Sequence, residues 1–340
     1  MIRKLTLSFL ISLIIFINST LAMTNEEDLV LNYNKRIIDN YLSLYRISEN
    51  FISHAESYCS KKIEINELRK IYLKILGKWT KLQHVRFGPV NDFNNYSKIQ
   101  FWPDKRGVIG RQFSRALKSK SNEYEDPGSL GSKSVAVQGL PILEIILFDN
   151  IENNKELSNY KFKCNYMLAI IKNLNFIFGY TYNIWISDRE IFEYVEKKNF
   201  FPEYFNSILS QLEFIHNYKI YDFKNKNINY KKLEYWRSSY SLQSIKNNLE
   251  EIYYLYNFLI LPKLKEKNSK NIILVENLFS KIFYRLKAID EPLYLYIDNV
   301  ENQKDLNLLR SKIKILHTTL QNDVSEELSI QIGFNKMDGD

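Results

Sequence analysis

The chain is poor in the residues that build metal centres and tight turns. Its 340 residues include two cysteines, four histidines, seven prolines and ten glycines. Two cysteines cannot by themselves hold a zinc or iron–sulfur centre. Cys59 and Cys164 keep two readings: one disulfide closing a long loop between helical segments, or two buried thiols. The histidines His54, His84, His216 and His317 stand isolated in helical patterns, and no His-Glu-x-x-His string occurs. That leaves out the helical arrangement by which many zinc peptidases present two imidazoles on one face. His84 alone calls for notice, two residues before Arg86. Alternating strands bounded by turn residues are also lacking, which argues against a sheet protein. After residue 21 no apolar run approaches the roughly 20 residues that cross a bilayer, so no stable span is expected.

What is present begins with an export pattern. Arg3 and Lys4 precede an almost wholly apolar stretch from Leu5 to Leu21, and Thr20-Leu21-Ala22 puts small residues where a signal peptidase cuts. Residues 1–22 are expected to be a cleaved signal peptide, and the product an exported protein of the cell envelope, in the periplasm. No cysteine stands at the cut to carry a lipid. The net formal charge of +8 is spread among acids along helix faces, without basic residues interleaved with aromatics. This reads as a solvated surface rather than a nucleic-acid interface.

Helical periodicity dominates the remainder. Val30, Ile37, Tyr41, Leu44, Phe51, Ala55 and Tyr58 form one stripe, behind a capping box of Thr24 and Glu27. Leu68, Tyr72, Ile75, Trp79 and Leu82 form a second, in a helix expected over 66–87 and stopped by Gly88-Pro89. Long helices are also expected over 160–186, after Pro202, and over 229–256, 271–289 and 304–320. Most glycines and prolines gather over 88–141, which should therefore be irregular and suited to carry function on a rigid frame. The expected fold is all-α: two side-by-side bundles of long antiparallel helices, 23–190 and 191–340, the second with a docked tail around Phe334. Trp79 and Trp236 hold comparable places in the two halves, a faint sign of internal duplication.

Glu144 is the residue that most needs a reason. It lies inside Leu140-Pro141-Ile142-Leu143-Glu144-Ile145-Ile146-Leu147-Phe148, just after Gly139. A carboxylate in such a run must be paired, hydrogen-bonded or liganded. Gly139 suits a sharp bend and Pro141 a first helical turn. Trp102-Pro103-Asp104 reads as an extended piece and a turn, with Asp104 able to cap a helix from about Gly107 or to pair with Arg106 or Arg111.

Five segments, taken in order, resemble the imelysin-like family of exported bacterial envelope proteins. They are Trp79 to Pro89, Phe101 to Gly107 with Arg111, Gly139 to Phe148, Trp236-Arg237-Ser238, and Ile332 to Asp340. The resemblance implies two helical bundles with a groove between them. It also implies a Gly-x-His-x-x-Glu motif, whose ends match Gly139 and Glu144 while Pro141 stands in the histidine's place. Proline offers no side-chain ligand, and a mononuclear peptidase site needs about three. No catalytic residue is assigned.

The candidate groove residues are Arg86, Trp102, Asp104, Arg111, Gly139, Glu144, Arg237 and Asp338. Glu144 keeps three readings: an ion pair with Arg86, Arg111 or Arg237; a groove carboxylate that meets an iron species, another cation or a cationic ligand, with Glu144 as the one metal ligand; or an acid–base group. Oxygen ligands from Glu144, Asp104 and Asp338 would favour a hard ion such as ferric iron, or an iron chelate. Haem ranks lower, since its axial ligand would have to be His84 or a tyrosine. The expected function is a non-enzymatic binding protein linked to iron or haem handling, with an iron species or an envelope protein as partner. The alternatives are an M75-type metallopeptidase-like hydrolase, or a helical interaction protein without a small ligand. Ser238, Ser239 and Ser241 have no histidine placed in sequence to activate them.

Overall fold

A computed structural model of the protein describes residues 32–149, 157–187, 200–220 and 229–332. The leader 1–22, the Thr24–Glu27 box, the boundary at 190/191, Phe334 and Asp338 lie outside these residues. The fold is all-α, with no strand among the described residues.

Helix α1 covers 32–59 and α2 Ile65–Leu82. The predicted stripes are their buried faces: Ile37, Tyr41, Leu44, Phe51 and Ala55 in α1, and Leu68, Tyr72, Ile75, Trp79 and Leu82 in α2. At about 1.5–3 kcal/mol for each large apolar side chain fully buried, these stripes hold the helices far more strongly than intrinsic propensity does. The irregular stretch follows as short pieces: a 3₁₀ turn Gly88–Asn94, α3 Asn95–Ile99, α4 Val108–Ser119 and α5 Pro127–Gly131. Helices α6 Gly139–Phe148 and α7 Leu157–Ile186 come next. The later part contains α8 Phe200–Phe214, α9 Ser241–Leu255, α10 Leu261–Glu266, α11 Asn271–Ala288, α12 Leu293–Tyr296 and α13 Val300–Thr318. Pro202 sits in the first turn of α8, where a missing N–H is harmless.

Contacts gather the helices into two sets. Helices α2, α4, α5, α6 and α7 pack among themselves, as do α8, α9, α11 and α13, and α2 against α9 forms the seam between them. Helix α1 reaches both. Near its start, Arg36 makes a bidentate pair with Glu251 of α9, both bonds 2.7 Å. At its end, Cys59 is joined by a disulfide to Cys164 of α7.

Three expectations need correction. The helix expected over 66–87 ends at Leu82, five residues before Phe87: the Val85 N–H turns back to the Leu82 carbonyl at 2.8 Å, and the Gln83 carbonyl accepts from the Tyr96 hydroxyl at 2.9 Å. The helix expected over 229–256 begins only at Ser241. Residues 230–239 form a 3₁₀ turn and a knot of turns with positive φ at Tyr235 and Ser239, which an apolar pattern does not reveal. Trp79 is fully buried in α2 whereas Trp236 is half-buried in that knot, so the two tryptophans carry no evidence of a repeat.

Candidate functional site

The site starts at a backbone bend. Gln138 is extended, and Gly139 turns the chain at φ 78° into α6. A Cβ on Gly139 would fall on the carbonyl oxygens of Lys98 and Ile99, so only glycine lets α6 lie against the end of α3. Pro141 stands in the first turn, and nearly every side chain from Leu140 to Leu147 is buried.

Glu144 is buried with them, 4% exposed. One of its oxygens, Oε1, accepts from the Ser238 hydroxyl at 2.6 Å and from the Ser238 backbone N–H at 2.9 Å. Burial pushes its carboxyl pKa up to about 7. The two Ser238 bonds and the charge of Arg237 work against that rise, and Glu234 adds to it. Thus Glu144 answers its buried position with a serine. The anticipated ion-pair geometry is not the one observed. Arg237 pairs instead with Asp149 at 2.8 Å and lies 4.4 Å from the Trp236 ring centre. The Arg86 guanidinium is held between the Tyr96 and Phe214 rings, 4.7 Å from each centre. Arg111 donates to the carbonyl of Arg106.

Asp104 caps α4, accepting from the N–H groups of Val108 and Ile109 at 2.7 and 2.9 Å. Gly107, at φ 62°, lets the chain turn into that helix. Trp102, joined to Pro103 by a cis bond, sets its ring edge-on to Phe214.

A cavity of about 600 Å³ opens over Glu144. Four of the predicted residues line it, namely Trp102, Asp104, Glu144 and Arg237, together with Lys105, Pro141, Tyr218, Lys231, Lys232 and Trp236. Arg86, Arg111 and Gly139 are not among its lining residues, and Asp338 is outside the described residues. Lys231, Lys232, Trp236 and Arg237 reach the groove from the start of the stretch over 229–256 that periodicity assigns to a helix.

Beneath the groove floor lies a polar network that sequence reasoning missed. Lys219, 2% exposed, forms an ion pair with Glu234 at 2.7 Å and donates to Gln83 at 2.7 Å, Ser244 at 2.8 Å and Asn248 at 2.5 Å. Glu234 in turn accepts from the side chains of Gln83, Gln100 and Ser244. Gln100 accepts from the Trp79 indole at 3.1 Å and from the Tyr235 hydroxyl. Burial pulls the Lys219 ammonium pKa down, and Glu234 opposes it. The network ties α2, the π-helical end of α8, the 230–239 knot and α9 into one frame under Ser238. The same logic that singled out Glu144 could have found Glu234, a lone acid in Leu233-Glu234-Tyr235-Trp236.

His84 lies buried with its Nε2 2.5 Å from the Tyr33 hydroxyl, and burial brings its pKa down to about 4. It faces Tyr33 rather than the groove. His216 and His317 have ring centres 5.4 Å apart, and burial likewise lowers His216 to about 4. Among the described residues no three His, Cys, Asp or Glu side chains come together as a metal centre. The donor set around Glu144 therefore does not fit a resident metal: one oxygen is taken by Ser238, both Asp104 oxygens are taken by α4, and no imidazole lines the cavity. No helix of the described residues is long and apolar enough to cross a membrane.

The model of the peptidase M75 family, described as imelysin, matches residues 37–320. An imelysin-like protein from Psychrobacter arcticum superposes with a TM-score of 0.75 at 18% identity, over 91% of this chain and 97% of that one. A protein from Parabacteroides distasonis, provisionally named an iron-regulated protein A precursor, superposes with a TM-score of 0.63 at 13% identity, over 84% and 91%. At these identities the likeness speaks for the fold. No curated protein matches the chain.

Proposed function

Given that the chain belongs to the imelysin family, we propose that it is a non-enzymatic binding protein of the cell envelope whose groove takes an iron species as cargo. The observation that carries this reading is the cavity over Glu144, which gathers Trp102, Asp104, Glu144 and Arg237 from three distant stretches of sequence. Such a concave site, with aromatic walls and a few fixed polar groups, is built to hold a small ligand. The link to iron comes from the name of the Parabacteroides relative. The export pattern of residues 1–22 supports a periplasmic setting.

The family's peptidase name supports a hydrolase less well here. The Ser238 hydroxyl donates its hydrogen bond to Glu144, and no imidazole lines the cavity to act as its base. Hydrolysis through a bound metal would also need ligands that this donor set does not supply.

Tryptophan fluorescence tests the reading. Ferric citrate or haem should change the emission of the wild type, and Trp102→Leu or Trp236→Leu should diminish that change. Peptides and casein should stay intact with or without zinc or iron. Metal-dependent turnover that disappeared in Glu144→Gln would replace the binding reading with the hydrolase.

A further inference from the structure

The groove's charges are not evenly committed. Two carboxylates and four cations line it. Both oxygens of Asp104 are held by the first N–H groups of α4, and Glu144 gives Oε1 to Ser238. Of the cations, Arg237 is spent on Asp149. Lys105, Lys231 and Lys232 remain, and among the described residues none has a carboxylate within ion-pair distance of its ammonium. Lys105 instead has its Nζ 5.2 Å from the ring centre of Tyr218, another groove residue. A concave surface lined by one sign of uncommitted charge focuses the field and collects counter-ions.

From this imbalance we propose that the groove takes a small polycarboxylate anion, either free or as the carboxylate shell of a metal chelate. The inference rests on the reading of the groove as a binding site and names its ligand class. A bare cation would meet three ammonium groups and two carboxylates already hydrogen-bonded. A single carboxylate would engage Lys105 or the Lys231–Lys232 pair, which belong to different segments, while several carboxylates on one scaffold engage both. Phosphate is the weaker fit. It is recognised best by convergent backbone N–H groups at a helix N-terminus, and the N-terminus of α4 at this groove is already filled by Asp104. Trp102 and Trp236 supply apolar walls for the carbon skeleton.

Isothermal titration calorimetry on the purified protein provides the test. The probes are tricarballylate, citrate, citrate carrying equimolar ferric iron, inorganic phosphate, ferric ion alone and neutral triethyl citrate. Tricarballylate and citrate should bind, the ester should not, and affinity should fall as salt rises. Lys105→Glu and the pair Lys231→Glu/Lys232→Glu should each weaken binding at least about tenfold. The pair Lys281→Glu/Lys287→Glu, with the same change of net charge on exposed positions of α11, should bind as the wild type does. Thermal unfolding of each variant checks that it is folded. Tighter binding of the ferric complex than of citrate identifies a chelate as the source, and equal binding identifies the free acid; both support the proposal. Binding of ferric ion or phosphate in preference to every carboxylate, or polycarboxylate binding untouched by the groove reversals, overturns it while leaving a ligand groove in place. If no probe binds and none alters tryptophan emission, the binding-groove reading falls as well.

Discussion

Ser238 donates twice to a single oxygen of Glu144, from its hydroxyl at 2.6 Å and from its backbone N–H at 2.9 Å. The pair joins α6 to the turn that precedes α9, and so joins the two helical sets at the groove. It also explains how an acid survives in an apolar helix: its position is satisfied by hydrogen bonds, yet burial still favours the neutral form.

A pH signature follows. The Glu144 pKa rises from 4.5 to about 7 on folding. The folded state therefore holds the proton more tightly, so the favourable contribution is complete below about pH 4.5 and is lost as pH climbs through 7. The span corresponds to roughly 3 kcal/mol at most. Glu144→Gln keeps an oxygen for Ser238 and removes the titration. Its melting temperature relative to the wild type should thus be higher at pH 8 than at pH 5. A difference between the two proteins that did not change over that range would contradict the buried, proton-retaining carboxyl.

Gly139→Ala tests the bend that places Glu144. The new methyl would meet the Ile99 carbonyl oxygen 2.5 Å away, at a φ of 78° that alanine resists. Relief requires α6 to move off α3. A loss of about 2–4 kcal/mol in urea unfolding is expected, from left-handed strain plus overpacking. A variant as stable as the wild type would show that α6 is not pinned there.

The buried Lys219–Glu234 pair makes a sharper demand. Lys219→Met leaves the Glu234 carboxylate without its cation in a site that is 2% exposed, which should cost about 3–5 kcal/mol. Adding Glu234→Gln removes the stranded charge while keeping an acceptor for Gln83 and Gln100, so the double variant should be more stable than the single one. If the double variant were the less stable of the two, the network would be held by hydrogen bonds to Glu234 rather than by charge balance.

These residues also mark where sequence reading succeeds and where it stops. The α2 stripe from Leu68 to Leu82 was legible because burial repeats at helical spacing, and Glu144 because an acid in an apolar run demands a partner. The identity of that partner was not legible. Ser238 is one of several serines in a stretch whose apolar spacing imitates a helix, and the positive φ values that break it fall on Tyr235 and Ser239, neither of them the glycine, asparagine or aspartate that usually marks a left-handed turn. Trp102, Asp104 and Arg237 were found through short motifs, whereas Arg86 and Arg111 share such motifs yet are held elsewhere by rings and a carbonyl. Lys219 escaped because its π-helical turn shifts the register by which inward positions are counted.

The disulfide carries the last prediction. Cys59 ends α1 and Cys164 lies in α7, and the bridge spans a sequence separation of 105 residues with a Cα–Cα distance of 5.7 Å. A cross-link over so long a loop acts chiefly on the unfolded chain, whose freedom it restricts. The chain-entropy model puts its ceiling near 5 kcal/mol at this length. The two ends are also held by other contacts, since Tyr160 of α7 donates to the Tyr58 carbonyl at 3.1 Å, so the native helices should stay in place without it. Cys59→Ser/Cys164→Ser should therefore keep its helical circular dichroism. It should unfold at lower urea, and with a steeper dependence on urea because its unfolded chain is more expanded. Reductant should move the wild type to the same midpoint and leave the variant unchanged. Mass spectrometry of non-reduced peptides supplies the decisive reading: free thiols at both positions in protein from an oxidising compartment would end the account.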